Sequence, residues 1–210
     1  MQFDFSTYLG EVTRTVSELE REGKPARNVT LERSYDTTTE DLWDAITNPE
    51  RLPRWFLPIS GELQLEGQYQ FEGNAGGMIT ECVPPRLLSV TWEMGGGISW
   101  VAVRISPEGI AGSRLTLSHI CPVDDHWEKY GPGAVGIGWD LGLCGLTVHL
   151  LGGGADRFDE EAFAGSTEGK ALIASASEDW GRAAVAAGEN PSLAEAAAKL
   201  TTSFYTGEEA

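Results

Sequence analysis

Three histidines, His119, His126 and His149, are the residues of this chain best suited to proton chemistry. An imidazole titrates closer to neutrality than any other ordinary side chain. His119 closes an otherwise apolar strand phase in "SRLTLSHI". A neutral imidazole beside an apolar cavity orients a ligand or serves as a general base. The plainer account is a structural histidine bonded to backbone. His149 stands in the glycine-rich run "GLCGLTVHLL" and carries the same two readings, with a subunit interface as a third. His126 sits in "VDDHWEKY" beside Asp124 and Asp125. A metal needs several ligands at defined spacing, and acids next to a histidine in a loop are ordinarily solvated, so neither metal nor cofactor is expected. Arg33 shares the inward phase of its strand and would meet either a ligand carboxylate or a nearby acid. Nucleophilic and nucleotide chemistry have no support: G-x-S-x-G, the P-loop and G-x-G-x-x-G are all missing from the sequence. Cys144 lies in "GLCGL", apolar company in which a thiol is inert.

The charge balance narrows the partners. With 15 Lys and Arg against 32 Asp and Glu, the formal net charge is −17. Phosphate backbones and anionic bilayers are bound by Lys and Arg, so neither nucleic acid nor membrane is an expected partner. Residues 135–151 are the most apolar stretch, but Asp140, Thr147, His149 and four glycines interrupt it. The opening "MQFDFSTYLG" has no basic region followed by an apolar run, so no signal peptide is expected. Cys82, Cys121 and Cys144 lack paired spacing and read as buried thiols of a reducing compartment, the cytoplasm.

The elements that must carry these residues follow from hydrophobic period. Phe5, Tyr8, Leu9, Val12, Val16 and Leu19 recur at helical spacing and predict an amphipathic helix over 5–22. "NVTLERSY" (28–35) alternates and predicts a strand. "TTTEDLW" opens a helix with a hydroxyl cap and acids in its first turn, and Pro49 and Pro53 leave room for one further short turn. From Ile59 to Ile120 the period is two, broken by Gly and Pro turn signals. Residues 134–151 predict a long helix apolar on most sides, which needs cover on more than one face. Its glycines require either close packing or room for a ligand, packing being the commoner cause. Two Ala-rich helices follow at 166–187 and 191–205. The fold class is therefore α+β, a curved antiparallel sheet of about seven strands around a long C-terminal helix, with extra N- and C-terminal helices.

Four stretches in order, "VTLERSYDTTTEDLWDAITNPERLPRWF", "PPRLLSVTWE", "SRLTLSHI" and "GIGWDLGLCGL", resemble the SRPBCC superfamily of START-like helix-grip proteins. Within it the resemblance is to the bacterial branch named for the activator of heat-shock-protein-90 ATPase. It covers about residues 28–151, leaving 1–27 as an N-terminal helical extension and 152–210 as a C-terminal one that packs on the domain or on a partner subunit. The resemblance implies a helix-grip fold with a hydrophobic cavity between sheet and long helix, and no common reaction. It implies Trp43 in the core, and Trp55 and Phe56 either capping the cavity mouth or plugging a dry core.

Strand alternation supplies the rest of the lining: Tyr69, Phe71, Met78, Trp92, Val103, Leu117 and His119, with Trp139 from the long helix. Such a lining suits a small hydrophobic or aromatic molecule. Two alternatives stand beside simple binding. One is a cyclase or aromatase acting on a polyketide-like substrate through His119 and Tyr69; the other is a protein-interaction or stress-related regulatory module. Helices at both ends of the chain and the over-apolar long helix raise a homodimer.

Overall fold

The computed structural model describes Tyr8, residues 10–152 and residues 158–207. In chain order the elements are β1 (Thr13–Arg21), β2 (Lys24–Tyr35), α1 (Thr39–Thr47), a 3-10 turn (Leu52–Arg54), β3 (Ile59–Gly61), β4 (Gln68–Phe71), β5 (Gly76–Val83), β6 (Leu87–Met94), β7 (Gly97–Glu108) and β8 (Gly112–Pro122). The further helices among the described residues are α2 (Asp125–Tyr130), α3 (Gly133–Leu151), α4 (Glu160–Gly165), α5 (Thr167–Ala186) and α6 (Pro191–Thr206). The strands form one sheet in the order β1-β2-β8-β7-β6-β5-β4-β3, antiparallel from β3 through β8. The α+β class, the curved sheet and the long helix agree with the sequence reading, with eight strands rather than about seven.

The additional strand corrects the N-terminal helix expected over 5–22. Tyr8 and Gly10 have helical backbone, but Thr13–Arg21 is β1. Glu22 and Gly23 have φ of 54° and 76°, the left-handed pair of a two-residue hairpin turn. Val12, Val16 and Leu19 happen to stand four and three apart, which imitates a helix. The half-buried phase of β1 instead runs Arg14, Val16. Arg14 is the residue whose charge concealed it.

The chain divides into two compact units. One comprises residues 1–31, 122–144 and 159–210; the other comprises 32–121 and 145–158. In the first, the buried carboxylate of Asp140 on α3 is the organising group. Arg14 bonds it through Nη2 at 2.6 Å and Nε at 3.1 Å, with side-chain exposures of 3% and 0% for the two residues. Trp180 of α5 donates Nε1–H to the same carboxylate at 2.9 Å, and the Tyr8 hydroxyl donates to the Asp140 carbonyl. Burial pushes the carboxyl above its ordinary range, while Arg14 and the Trp180 N–H pull it back. A guanidinium does not release its proton, so the hydrogen bonds to Asp140 are charge-assisted. The helix glycines here answer to packing: a Cβ on Gly136 would lie 2.3 Å from the Trp180 ring.

Residues 133–151 are long and apolar enough to cross a membrane by length and composition, but 61% of the window is buried within the protein. A buried core helix passes the same test as a spanning one.

In the second unit, α1 is capped as its sequence requires. Thr38 accepts from the Asp41 N–H, and Glu40 and Asp41 occupy the first turn. Leu42 and Ala45 are its buried residues, whereas Trp43 is half-buried. β5 carries a bulge between Ile79 and Glu81. The extra residue resets the alternation, so Ile79 pairs with Val90 and Cys82 with Leu88. Met78 therefore falls opposite Gln68 on the outer face, 40% exposed, which corrects its expected inward position.

Candidate functional site

Within the second unit a continuous series of rings runs across one sheet face. Trp55 packs on Phe56 with centroids 5.6 Å apart, and Phe56 meets Phe71 edge-on at 5.1 Å. Phe71 touches Tyr69 at 5.5 Å and Trp92 at 5.8 Å, and Trp92 meets His119 at 6.1 Å. Offset and edge-on rings at such spacings favour one another beyond simple burial. Six of the residues expected from the sequence thus come together: Trp55, Phe56, Tyr69, Phe71, Trp92 and His119. Val103 and Leu117 are paired in register on β7 and β8 next to them. Met78, as shown above, points away. Trp43 is half-buried on α1, and Trp139 is half-buried on α3 in the other unit.

Local structure explains the placement. Pro53 helps close the 3-10 turn at Leu52–Arg54, which delivers Trp55 under α1. The Trp55 indole donates to the Ala45 carbonyl at 2.9 Å, so its ring is fixed. Phe56, half-buried, is the less constrained of the two. The Trp55 carbonyl also explains Gly145, where a Cβ would approach that oxygen to 2.5 Å.

His119 is the polar group of this face. It is 3% exposed, and its Nε2 lies 2.8 Å from Ser99 Oγ. Ser99 directs its hydroxyl to the Trp92 carbonyl at 3.1 Å. Ser99 thus ties the imidazole to the β6 backbone. Burial pushes its pKa down to about 4, so the ring is neutral at physiological pH. Tyr69 is different. Its hydroxyl donates to the Thr91 carbonyl at 2.7 Å, and burial, with Glu93 nearby, raises its pKa well above the ordinary tyrosine range. It is a fixed hydrogen-bond donor rather than an acid or base.

A second polar group was not foreseen. Arg51 reaches Asp41 Oδ1 at 2.8 Å and Asp44 Oδ2 at 2.9 Å, and its Nε donates to His149 Nε2 at 3.2 Å. Asp44 is held below its ordinary range by Arg51 and Asn48. Burial opposes the same shift at Asp41, but the Thr37 hydroxyl and Arg51 prevail. Burial and the charges of Arg51 and Arg54 depress His149, which is 4% exposed. A recess of ≈ 430 Å³ lies beside this cluster. Arg51 and His149 are separated by 98 positions, and no spacing rule connects them. Ser99, in contrast, was reachable: it continues the inward phase of Val101 and Val103 by one step.

His126 lies on the short helix α2 rather than in a loop. Asp124 caps that helix, accepting from the Trp127 N–H at 2.8 Å. Arg33 is buried, with its guanidinium 5.5 Å from the Tyr35 ring centroid. Among the described residues, no group of three or more His, Cys, Asp or Glu side chains is placed to hold a metal.

Comparison with known proteins gives a consistent picture. Residues 36–150 match the model of a family described as Activator of Hsp90 ATPase homolog 1-like protein. The crystal structure of CalU16 from Micromonospora echinospora is 28% identical, with a TM-score of 0.69 over 82% of this chain and 97% of that one. PFC0360w, an HSP90 activator from Plasmodium falciparum, is 19% identical, with a TM-score of 0.52 over 60% of this chain and 96% of that one. DynU16, a protein in the dynemicin biosynthetic locus, is 21% identical, with a TM-score of 0.54 over 63% and 50% of the two chains. The last two likenesses concern the fold alone. No curated protein matches the chain.

Proposed function

The chain belongs to the Activator of Hsp90 ATPase homolog 1-like family, and we propose that it binds a small hydrophobic or aromatic molecule on the ring-lined face of its sheet. The observation that carries this reading is the unbroken series Trp55–Phe56–Phe71–Trp92–His119. Small-molecule sites are mostly apolar and aromatic, with few polar groups to fix orientation. Here the rings supply the stacking surface, and the neutral imidazole, oriented by Ser99, supplies the polar contact. Trp55 is held by its indole hydrogen bond to Ala45, and Phe56, half-buried, bridges it to Phe71. The residues that would touch the ligand are Phe56, Phe71, Trp92 and His119, with Val103 and Leu117 beneath.

A cyclase or aromatase needs more convergent polar groups than this face offers, because the Tyr69 hydroxyl is already committed to Thr91. Binding without turnover is the better supported activity. Cys82, Cys121 and Cys144 form no disulfide among the described residues, which fits a cytoplasmic location.

Native mass spectrometry of the protein purified from its own cells, followed by extraction, tests the proposal and identifies a retained compound. In parallel, 1-naphthol is titrated against intrinsic tryptophan fluorescence. Saturable quenching that weakens at least tenfold in Trp92→Ala supports the site. A response unchanged by Trp92→Ala and by Phe71→Ala would place binding elsewhere and sink the assignment.

A further inference from the structure

Among the described residues, the groove between the two C-terminal helices is lined by α5 and α6 alone. α5 and α6 are joined by the four-residue link Ala187–Asn190 and run antiparallel, as so short a link between packed helices requires. They approach closely at Gly181, whose Cβ would meet the Ala194 carbonyl and the Ala198 Cβ at 3.4 Å. Above this contact lies a groove of ≈ 780 Å³ with a largely apolar floor of small side chains. Its charged walls are Glu178 and Arg182 on α5, and Glu195 and Lys199 on α6.

The order of those charges is the informative feature. Gly181 is level with Ala194 and Ala198, so antiparallel helices place Glu178 opposite Lys199 and Arg182 opposite Glu195. At one end of the groove acid faces base, and at the other end base faces acid. The four charges sum to zero, on a chain whose net charge is −17. All four side chains are largely exposed; Glu195 pairs with Lys199 and Glu178 with Arg182 on their own helices, and Arg182 also bonds Asp179 one turn away. Exposed pairs one turn apart on a helix are weak and easily exchanged.

This checkerboard is self-complementary. A two-fold axis along the helices lays Glu178 over the partner copy's Lys199 position. A two-fold axis across them lays Glu178 over the Arg182 position instead. Either way acid meets base and the small apolar floors face each other. A C2 interface requires one patch to complement itself, and this one does. Elsewhere two strongly acidic chains repel, which leaves the neutral patch as the favourable meeting face. We propose that a second copy of this chain docks here, the two helix pairs forming a four-helix bundle of antiparallel hairpins.

The test is sedimentation velocity of the full chain from micromolar to submillimolar concentration, on wild type and two variants, with circular dichroism to confirm folding. The wild type is expected at twice the 22.6 kDa monomer mass. The double reversal Arg182→Glu, Lys199→Glu makes all four walls acidic and is expected to weaken association at least 100-fold. The complete inversion Glu178→Arg, Arg182→Glu, Glu195→Lys, Lys199→Glu restores the checkerboard with opposite signs and is expected to restore the dimer. A wild type that stays monomeric overturns the proposal, as does a dimer indifferent to the double reversal. Failure of the complete inversion to recover association also overturns it.

Discussion

His119 ties the candidate site to the stability of the fold. A histidine whose pKa is pushed down in the native state stays neutral there while its unfolded counterpart, near 6.5, takes a proton. Stability from this group is complete above the unfolded value and is lost as pH falls from about 6.5 towards about 4. At pH 4.5 the loss relative to pH 7 is about 2–3 kcal/mol. Urea unfolding at both pH values should show that excess loss in the wild type and not in His119→Gln. Equal losses in the two proteins would mean the ring is protonated without penalty in the native state. Ser99→Ala bears on orientation. It removes the hydrogen-bond partner of the His119 Nε2. We expect it to weaken 1-naphthol binding by about 1 kcal/mol while leaving the ring series, and so the tryptophan emission of the unliganded protein, in place.

At the scale of elements, the Arg14–Asp140–Trp180 cluster joins β1, α3 and α5. Removing one partner from a buried ion pair strands a charge, which is destabilising by about 3–5 kcal/mol. Arg14→Met and Asp140→Leu should each lower stability by that order in chemical denaturation. The double variant should lose less than the sum, because the attraction between the two groups is counted in both single variants, while Asp179, which also bonds Arg14, keeps Arg182. Additive losses would deny the coupling. Gly136→Ala is expected to lower the melting temperature more than Gly152→Ala. The first forces a methyl into the Trp180 ring, by about 1–3 kcal/mol, whereas the second meets only a carbonyl of its own turn. What the sequence revealed at this scale follows from period. The strands from β4 to β8 and the long helix were legible because side-chain alternation and turn residues are local signals. β1 was not, since its inward residue is a charged arginine whose partner lies on α3. The same limit applies to β5, where one inserted residue moved Met78 to the other face. It applies again to Arg51 and His149, which only the folded backbone brings together. Tyr69, Phe71, Trp92 and His119 sit on regular strand alternation, a local signal, whereas Trp55 and Phe56 were placed beside them only by the family resemblance.

For the whole molecule the dominant quantity is charge. A net −17 makes the folded chain repel itself, and salt screens that repulsion over about 8–10 Å at moderate ionic strength. The melting temperature should therefore rise between low salt and about 0.5 M sodium chloride, by several degrees, in calorimetry. A flat response would mean that attractive pairs such as Arg51 with Asp41 and Asp44 weaken as much as repulsion is relieved. The same screening should favour association through the α5–α6 face, where the local charges already cancel.

The buried cluster at Asp140 also constrains how this protein can change over generations. A lineage that loses Arg14 alone leaves the Asp140 carboxylate without its cation, and one that loses Asp140 alone leaves Arg14 with the partly exposed Asp179 as its remaining acid. Such intermediates are poorly tolerated when total stability is only about 5–15 kcal/mol. Positions 14 and 140 should accordingly be inherited as a unit: among descendants, either both charges persist or both are gone, with Trp180 free to vary only where they are gone. Deep mutational scanning for soluble expression would reveal this as a pair of sites intolerant singly and permissive together.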